Sequence, residues 1–116
     1  MKINLRSGSY EADMQVSEYA NGRTAIQLYD DEDGQPLVTA TTNVPDLPEE
    51  EIDKLCKRLK VDKQRFLLIK DWSENEGVYD SLAEAGVILP TVGTVPTGYV
   101  SARVAFLKEE VEAYIS

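Results

Sequence analysis

The sequence contains no histidine, a single cysteine and a single tryptophan in 116 residues. Without histidine, the chain lacks the usual base of Ser–His and Cys–His catalytic pairs and a common zinc ligand. One cysteine cannot form an intramolecular disulfide, so a disulfide-stabilised secreted domain is not predicted. Cys56 falls on the apolar face of a predicted helix, where a buried thiol is expected instead of a nucleophile.

Long apolar runs are also absent. The N-terminal stretch MKINLRSGSY alternates between apolar and polar residues and has no hydrophobic core of a signal peptide. No segment approaches the length that a membrane-spanning helix needs. The sequence therefore predicts a cytoplasmic protein without membrane contact.

The charge of the chain is strongly one-sided, with 12 basic against 21 acidic residues and a net charge of −9. An acidic surface repels phosphate backbones, so direct nucleic-acid binding is not expected. The same charge would suit a basic partner, such as the DNA-binding face of another protein. The apolar content of 42% is that of an ordinary globular chain, and the length fits one domain covering residues 1–116.

The N-terminal part of the chain, up to Val44, shows the alternation of strands with one solvent-exposed face. The Asn21–Gly22 dipeptide is typical of a tight hairpin turn, and residues 36–44 are rich in β-branched side chains. The sequence predicts a four-stranded antiparallel meander with strands near residues 3–5, 10–17, 24–29 and 36–44.

Two helices and two or more further strands are predicted after the meander. An amphipathic helix is expected to start at Pro48, and a second one to cover residues 74–85 and end at Gly86. The inner faces of these helices are predicted from the apolar spacing: Ile52, Leu55, Cys56 and Leu59 in the first, and Val78, Tyr79, Leu82 and Ala85 in the second.

Between and after these helices, the apolar run 65–72 predicts a buried strand and residues 99–107 a further one. The stretch 87–98, VILPTVGTVPTG, predicts a short strand and a long loop, and the 90–98 loop is a candidate contact surface. Residues 108–116 predict a short C-terminal helix. The expected fold is α+β: an antiparallel sheet with the two main helices packed on one face.

No metal, cofactor or catalytic site is predicted. The acidic loop YDDEDGQ matches part of an EF-hand loop at Asp31, Asp33 and Gly34, but the first and last ligand positions would be Tyr29 and Ala40. The loop is therefore expected to be an acidic hairpin tip. No serine lies in a GxSxG or SxxK motif, so no nucleophile is identified.

The segment Asp71–Gly77 is the densest group of polar residues that could form a site. Ser73 and Glu76 have the spacing of a capping box, in which each side chain accepts the backbone N–H of the other residue. This motif explains Ser73, Glu74 and Glu76 without a ligand. The candidate contact site contains the residues that capping does not explain, together with the hairpin acids: Asp71, Trp72, Asn75, Asp31 and Asp33.

The motif IKDWSENEG, followed by a leucine-containing helix that ends at Gly86, resembles an uncharacterised domain family of small bacterial proteins. The hairpin LYDDEDGQPLVTATTNVP is similar to another stretch of that family, which is met on phages and conjugative elements. The two similar stretches together cover about a third of the chain. It implies a mobile-element setting and no known enzyme activity. A fainter similarity, in LLIKDWSE, links the chain to antirestriction proteins that mimic DNA.

Three functional hypotheses follow. The first is a small, non-enzymatic accessory protein that acts through contacts with a protein partner. The second is a DNA mimic that inhibits a host DNA-targeting nuclease of the restriction or CRISPR type. The third is an enzyme that uses Asp71 and Glu76, which would require both carboxylates in one cleft. Exposed sheet edges also leave strand-mediated homodimerisation open.

Overall fold

The computed structural model describes residues 1–108, and the predicted C-terminal helix lies outside this range. The described residues form seven strands and two α-helices, which confirms the α+β class. None of their helices is long and apolar enough to cross a bilayer. The elements are β1 (Lys2–Leu5), β2 (Gly8–Glu18), β3 (Thr24–Asp30), β4 (Pro36–Thr39), α1 (Glu49–Leu59), β5 (Phe66–Ile69), α2 (Val78–Glu84), β6 (Ile88–Pro96) and β7 (Ser101–Leu107), with 3-10 turns at Lys63–Arg65 and Ser73–Asn75.

The predicted meander forms the first sheet, with antiparallel strands in the order β1-β2-β3-β4. In β2, Ala12, Met14 and Val16 are buried, whereas the residues between them are exposed. This alternation puts one face of the sheet in the core and the other in solvent, as the period-two pattern predicts.

The remaining strands form a second sheet in the order β5-β7-β6, and it is covered on both faces. All four residues of β5 are buried. Leu67 and Ile69 belong to the core that contains the first sheet and α2, whereas Phe66 and Leu68 belong to a second core beneath α1. Because successive strand residues point to opposite faces, the two helices cover different faces of this sheet instead of sharing one.

The two sheets are joined by the chain that follows β4. The Thr42 N–H donates to the Leu68 carbonyl at 2.9 Å, and the Lys70 N–H donates to the Ala40 carbonyl at 2.8 Å. Thr41 and Ile69 form an antiparallel bridge between these bonds. The outer edge of β5 is therefore paired along this short segment.

Strand β6 occupies most of the segment that was expected to be a loop. It pairs with β7 at both ends, and the register shifts between Pro90 and Thr94. Prolines are tolerated at the edge of a sheet, where a missing N–H breaks no ladder bond, and β6 is an edge strand. The prediction of a 90–98 loop was wrong, since the strand continues to Pro96 although the segment contains two prolines and two glycines.

Helix α2 is shorter than the predicted 74–85 helix. Its first residue is Val78, and the earlier residues form a separate 3-10 turn in which Ser73 has a φ of 53°. Val78, Tyr79 and Leu82 are buried as expected, but Ala85 is exposed. Helix α1 starts at Glu49, one residue after the proline that was expected to open it.

Candidate functional site

Asp71, the first candidate residue, forms the hydrogen bond that closes the turn before α2. Its Oδ1 accepts the backbone N–H of Gly77 at 2.8 Å, and its Oδ2 lies 4.0 Å from Nη1 of Arg103. The Arg103 guanidinium in turn lies 3.6 Å from the ring centroid of Tyr79 on α2. Asp71 therefore fixes the corner between β5 and α2 through two partners.

The capping box between Ser73 and Glu76 is not present. Ser73 has a left-handed backbone, its side chain makes no capping bond, and its carbonyl accepts the Glu76 N–H at 3.2 Å. Both side chains are exposed. Glu74 instead pairs with Lys70 at 3.0 Å. A backbone hydrogen bond, and then this contact with Lys70, lowers the pKa of the Glu74 carboxyl.

Asn75 is almost completely buried, with 1% of its surface exposed, although it lies in a polar segment. Its Nδ2 donates to the backbone carbonyl of Thr39 at 2.7 Å. This bond connects the 3-10 turn after β5 to the end of β4. Asn75, one of the residues that the capping box did not explain, therefore links the two sheets.

Trp72 is partly buried and packs against the core beneath α1. A large ring at this position fills the corner where the chain leaves β5. Together with Asp71 and Asn75, it stabilises the corner between the strand and the helix. Nothing in these three contacts requires a ligand.

We expect Asp71→Ala to lower the free energy of unfolding by about 1–2 kcal/mol, since the Gly77 N–H loses its acceptor. Asp71→Asn keeps an oxygen that can accept this bond and removes the charge, so its loss should be less than half as large. Urea denaturation of the two variants measures the difference. Equal losses in both would mean that the carboxylate acts mainly through Arg103.

The acidic hairpin tip divides into turn-forming and free carboxylates. Asp30 Oδ1 accepts the Glu32 N–H, and Asp33 Oδ1 accepts the Gln35 N–H, each at 2.9 Å. These are the local bonds by which aspartates close tight turns. Asp33 is therefore needed for the turn, and Asp31 and Glu32 are left to face solvent.

Asp31 lies against Asp13 of the neighbouring strand β2. The register pairs Asp13 with Tyr29, so Asp31 is its diagonal neighbour across the hairpin. A hydrogen bond with the Asp31 carboxyl, and then the repulsion between the two groups, raises the pKa of Asp13. The carboxyl groups of Asp13 and Asp31 are therefore neighbours on the exposed face of the first sheet.

Glu11 extends this acidic surface, which we call the acidic face and define as Glu11, Asp13, Asp31, Glu32 and Asp33. All five residues are exposed. The N-terminal ammonium lies 3.8 Å from Glu11, and no other described residue forms an ion pair with the acidic face. By contrast, Glu49 is neutralised by Lys63 and Arg23, and these hydrogen bonds lower the pKa of its carboxyl.

The sequence analysis missed Asp13 and Glu11 as members of this surface. The signal was available, because both residues are on the polar side of the alternating stretch 10–17, next to the hairpin. Their position beside Asp31 depends on the register of β2 against β3.

The residues that could take part in metal binding or nucleophilic catalysis are described next, within the part of the chain that the structure covers. Within residues 1–108, no group of three or more Cys, Asp or Glu side chains is arranged to hold a metal ion. Asp71 is engaged with Gly77, whereas Glu76 is exposed. Cys56 is on the buried face of α1, and this burial raises the pKa of its thiol. A high pKa keeps a thiol protonated and poorly nucleophilic.

Comparison of the chain with protein-family models, with curated proteins and with solved structures finds no match. The resemblance of the IKDWSENEG motif to a mobile-element domain family therefore stays a prediction.

Proposed function

We propose that the protein is a non-enzymatic binding protein whose acidic face contacts a basic surface on a protein partner. The observation that carries this proposal is the position of Asp13 and Asp31 as diagonal neighbours on an exposed acidic face whose one ion pair among the described residues is that of Glu11 with the N-terminal ammonium. A mobile-element setting and a cytoplasmic location belong to the same proposal. The free, buried thiol of Cys56 is compatible with a reducing compartment.

The titration of Asp13 explains why this pair favours a cationic partner. Its pKa is raised on folding, so its contribution to stability is present at a pH below the pKa of the unfolded chain and is lost as the pH rises through the folded value. The repulsion between the two carboxylates, one cause of this raised pKa, is strongest when both groups are ionised. A partner's lysine or arginine placed between them relieves this repulsion, which the N-terminal ammonium of the free protein offsets only in part.

An arginine-rich peptide tests the acidic face, because its affinity can be measured by calorimetry at low and high salt. We expect Asp13→Asn with Asp31→Asn to weaken binding about fivefold, since two central carboxylates are lost. The matched control is Glu18→Gln with Glu50→Gln, which removes the same charge from exposed residues outside the acidic face. The control should change the affinity less than twofold. Equal weakening by both pairs would show that only net charge matters, and would contradict the proposal.

A DNA-mimic inhibitor is the second candidate function, and the row formed by Glu11 and Asp13 on one strand favours it. Side chains two residues apart on a strand lie on the same face about 7 Å apart, which places charges in a line. Such an inhibitor would reduce cleavage by a restriction or CRISPR nuclease at low salt. Unchanged cleavage at every salt concentration would exclude this candidate and leave the first one intact.

A further inference from the structure

A groove lies between α1 and strand β6, on the face of the second sheet opposite to the first sheet. Its volume is about 420 Å³, within the range of pockets that hold small ligands or side chains. The floor contains Ile52, Phe66 and Val104, which are buried core residues. Leu55 of α1 and Val95 of β6 form its apolar walls.

Exposed apolar side chains continue the groove beyond these walls. Leu59 lies one turn after Leu55 on α1 and is 47% exposed. Leu89 on β6 is 46% exposed, and it is paired with Phe106, so it projects on the α1 side of the sheet. An apolar surface therefore extends from the floor along both the helix and the strand.

Three charged residues line the groove, two of them basic and one, Glu51, acidic, so its rim has a net positive charge although the protein as a whole is acidic. Lys54 and Arg58 are four residues apart on α1, and both line the groove. Neither forms an ion pair within residues 1–108, whereas Lys63, Lys70 and Arg103 do. The helix dipole accounts for Arg58 in the last turn, but Lys54 lies nearer the middle of the helix.

Several backbone groups of the edge strand β6 cannot pair with a partner strand. Pro90 and Pro96 have no N–H to donate, and the Thr91 N–H and carbonyl are both bonded to the Tyr79 hydroxyl, at 3.0 and 3.1 Å. The Gly93 N–H donates to the Thr91 hydroxyl at 3.0 Å. A partner at this surface must therefore bind through its side chains, as a helix does in an apolar groove.

We infer that this groove binds an acidic amphipathic helix of a partner protein. The apolar face of the helix would cover Leu55, Leu59 and Leu89, and its glutamates or aspartates would reach Lys54 and Arg58. This second surface has the opposite charge preference to the acidic face, and it does not depend on the first proposal. The protein would then join a basic partner and an acidic one.

A synthetic helical peptide tests this inference with the full-length protein. The probe carries leucines every third and fourth residue and glutamates elsewhere, and its control has lysines in place of the glutamates. Fluorescence anisotropy should show binding of the glutamate peptide and at least about tenfold weaker binding of the lysine peptide. Failure of the glutamate peptide to bind, or equal binding of both, would overturn the inference.

Charge reversals on α1 locate the binding site. Lys54→Glu with Arg58→Glu should weaken the glutamate peptide about tenfold. The control, Lys57→Glu with Lys60→Glu, makes the same change in charge in the last turn of α1 and at the residue that follows it, and neither residue lines the groove. It should change the affinity less than about twofold, and circular dichroism checks that both variants stay folded. Equal effects of the two pairs would overturn the inference.

The chain's own C-terminal residues are a rival occupant by composition, because 109–116 contain three glutamates among apolar residues. Replacing Glu109, Glu110 and Glu112 with glutamine separates the two cases. The affinity for the glutamate peptide should stay within about twofold of the wild-type value if a partner helix is the occupant. A tenfold or greater gain would assign the groove to the chain itself and overturn the inference.

Discussion

Gly77→Ala is expected to lower the free energy of unfolding by about 3 kcal/mol or more, the largest effect among the substitutions considered. Gly77 has a φ of 101°, where side chains other than glycine are strained. A Cβ atom at this position would also overlap the backbone carbonyl oxygen of Asn4 in β1. A backbone carbonyl within a sheet cannot rotate away as a flexible side chain can.

The Gly86→Ala variant is the matched control for this substitution. Gly86 also has a positive φ, 75°, but no atom lies within 4 Å of the position that its Cβ would take. It should therefore lose only the backbone term of about 1 kcal/mol. Urea denaturation of both variants gives the difference, which measures the cost of the contact with β1. Equal losses would mean that α2 moves away from β1 without penalty.

The close approach at Gly77 is part of the docking of α2 on the edge of β1. The Asn4 N–H donates to the Ser81 hydroxyl at 2.9 Å, and this hydroxyl is 3.3 Å from the Asn4 carbonyl. These bonds occupy polar groups that an edge strand would otherwise present to another chain. Edge-to-edge pairing of two copies through β1 would have to break them.

Much of the fold was predictable because its signals are local. The alternation over residues 10–17 predicted β2, because one face of this strand is in solvent. The apolar run 65–72 predicted β5, because a strand that is buried on both faces has apolar residues at successive positions. Which face each helix covers was not predictable. In β5 all four residues are apolar, and such a run does not tell which neighbour lies on which side.

The start of α2 was mispredicted because its determinants are distant in sequence. Ser73 and Glu76 satisfy the local pattern of a capping box, but the turn is fixed by Asp71 on the Gly77 N–H and by Asn75 on the Thr39 carbonyl. The capping rule considers only bonds within the first turn. The residues that it left unexplained were those that hold the corner.

The candidate contact site was predictable only in part for the same reason. Asp31 was identified from composition, but its neighbour Asp13 required the register of two strands. Lys54 and Arg58 were not assigned to a site, since the groove beside them contains residues of β6, most of which was expected to be a loop. A surface built from four separate elements, α1, β5, β6 and β7, leaves no periodic signal in the chain.

Asn75→Asp is the other substitution with a large expected effect, because it places a carboxylate in a buried site opposite a carbonyl. Asn75 is 1% exposed, and its Nδ2 donates to the Thr39 oxygen at 2.7 Å. A carboxylate cannot donate, and its charge would have no partner at that contact. At pH 7 we expect a loss of about 3 kcal/mol or more in the free energy of unfolding.

The pH dependence of this variant distinguishes buried charge from lost packing. Burial opposite a carbonyl raises the pKa of the introduced carboxyl above its unfolded value of about 4. The protonated acid can donate to the Thr39 oxygen, so the stability is kept below the unfolded pKa and is lost as the pH rises through the folded one. Urea denaturation of N75D and wild type at pH 4 and pH 7 should show a smaller difference at pH 4.

Asn75→Ala, the control, removes the donor without adding a charge, so it should lose about 1–3 kcal/mol at both pH values. If N75D showed the same pH-independent loss as this control, the introduced carboxylate would not be held as a buried charge, and the expectation would be contradicted.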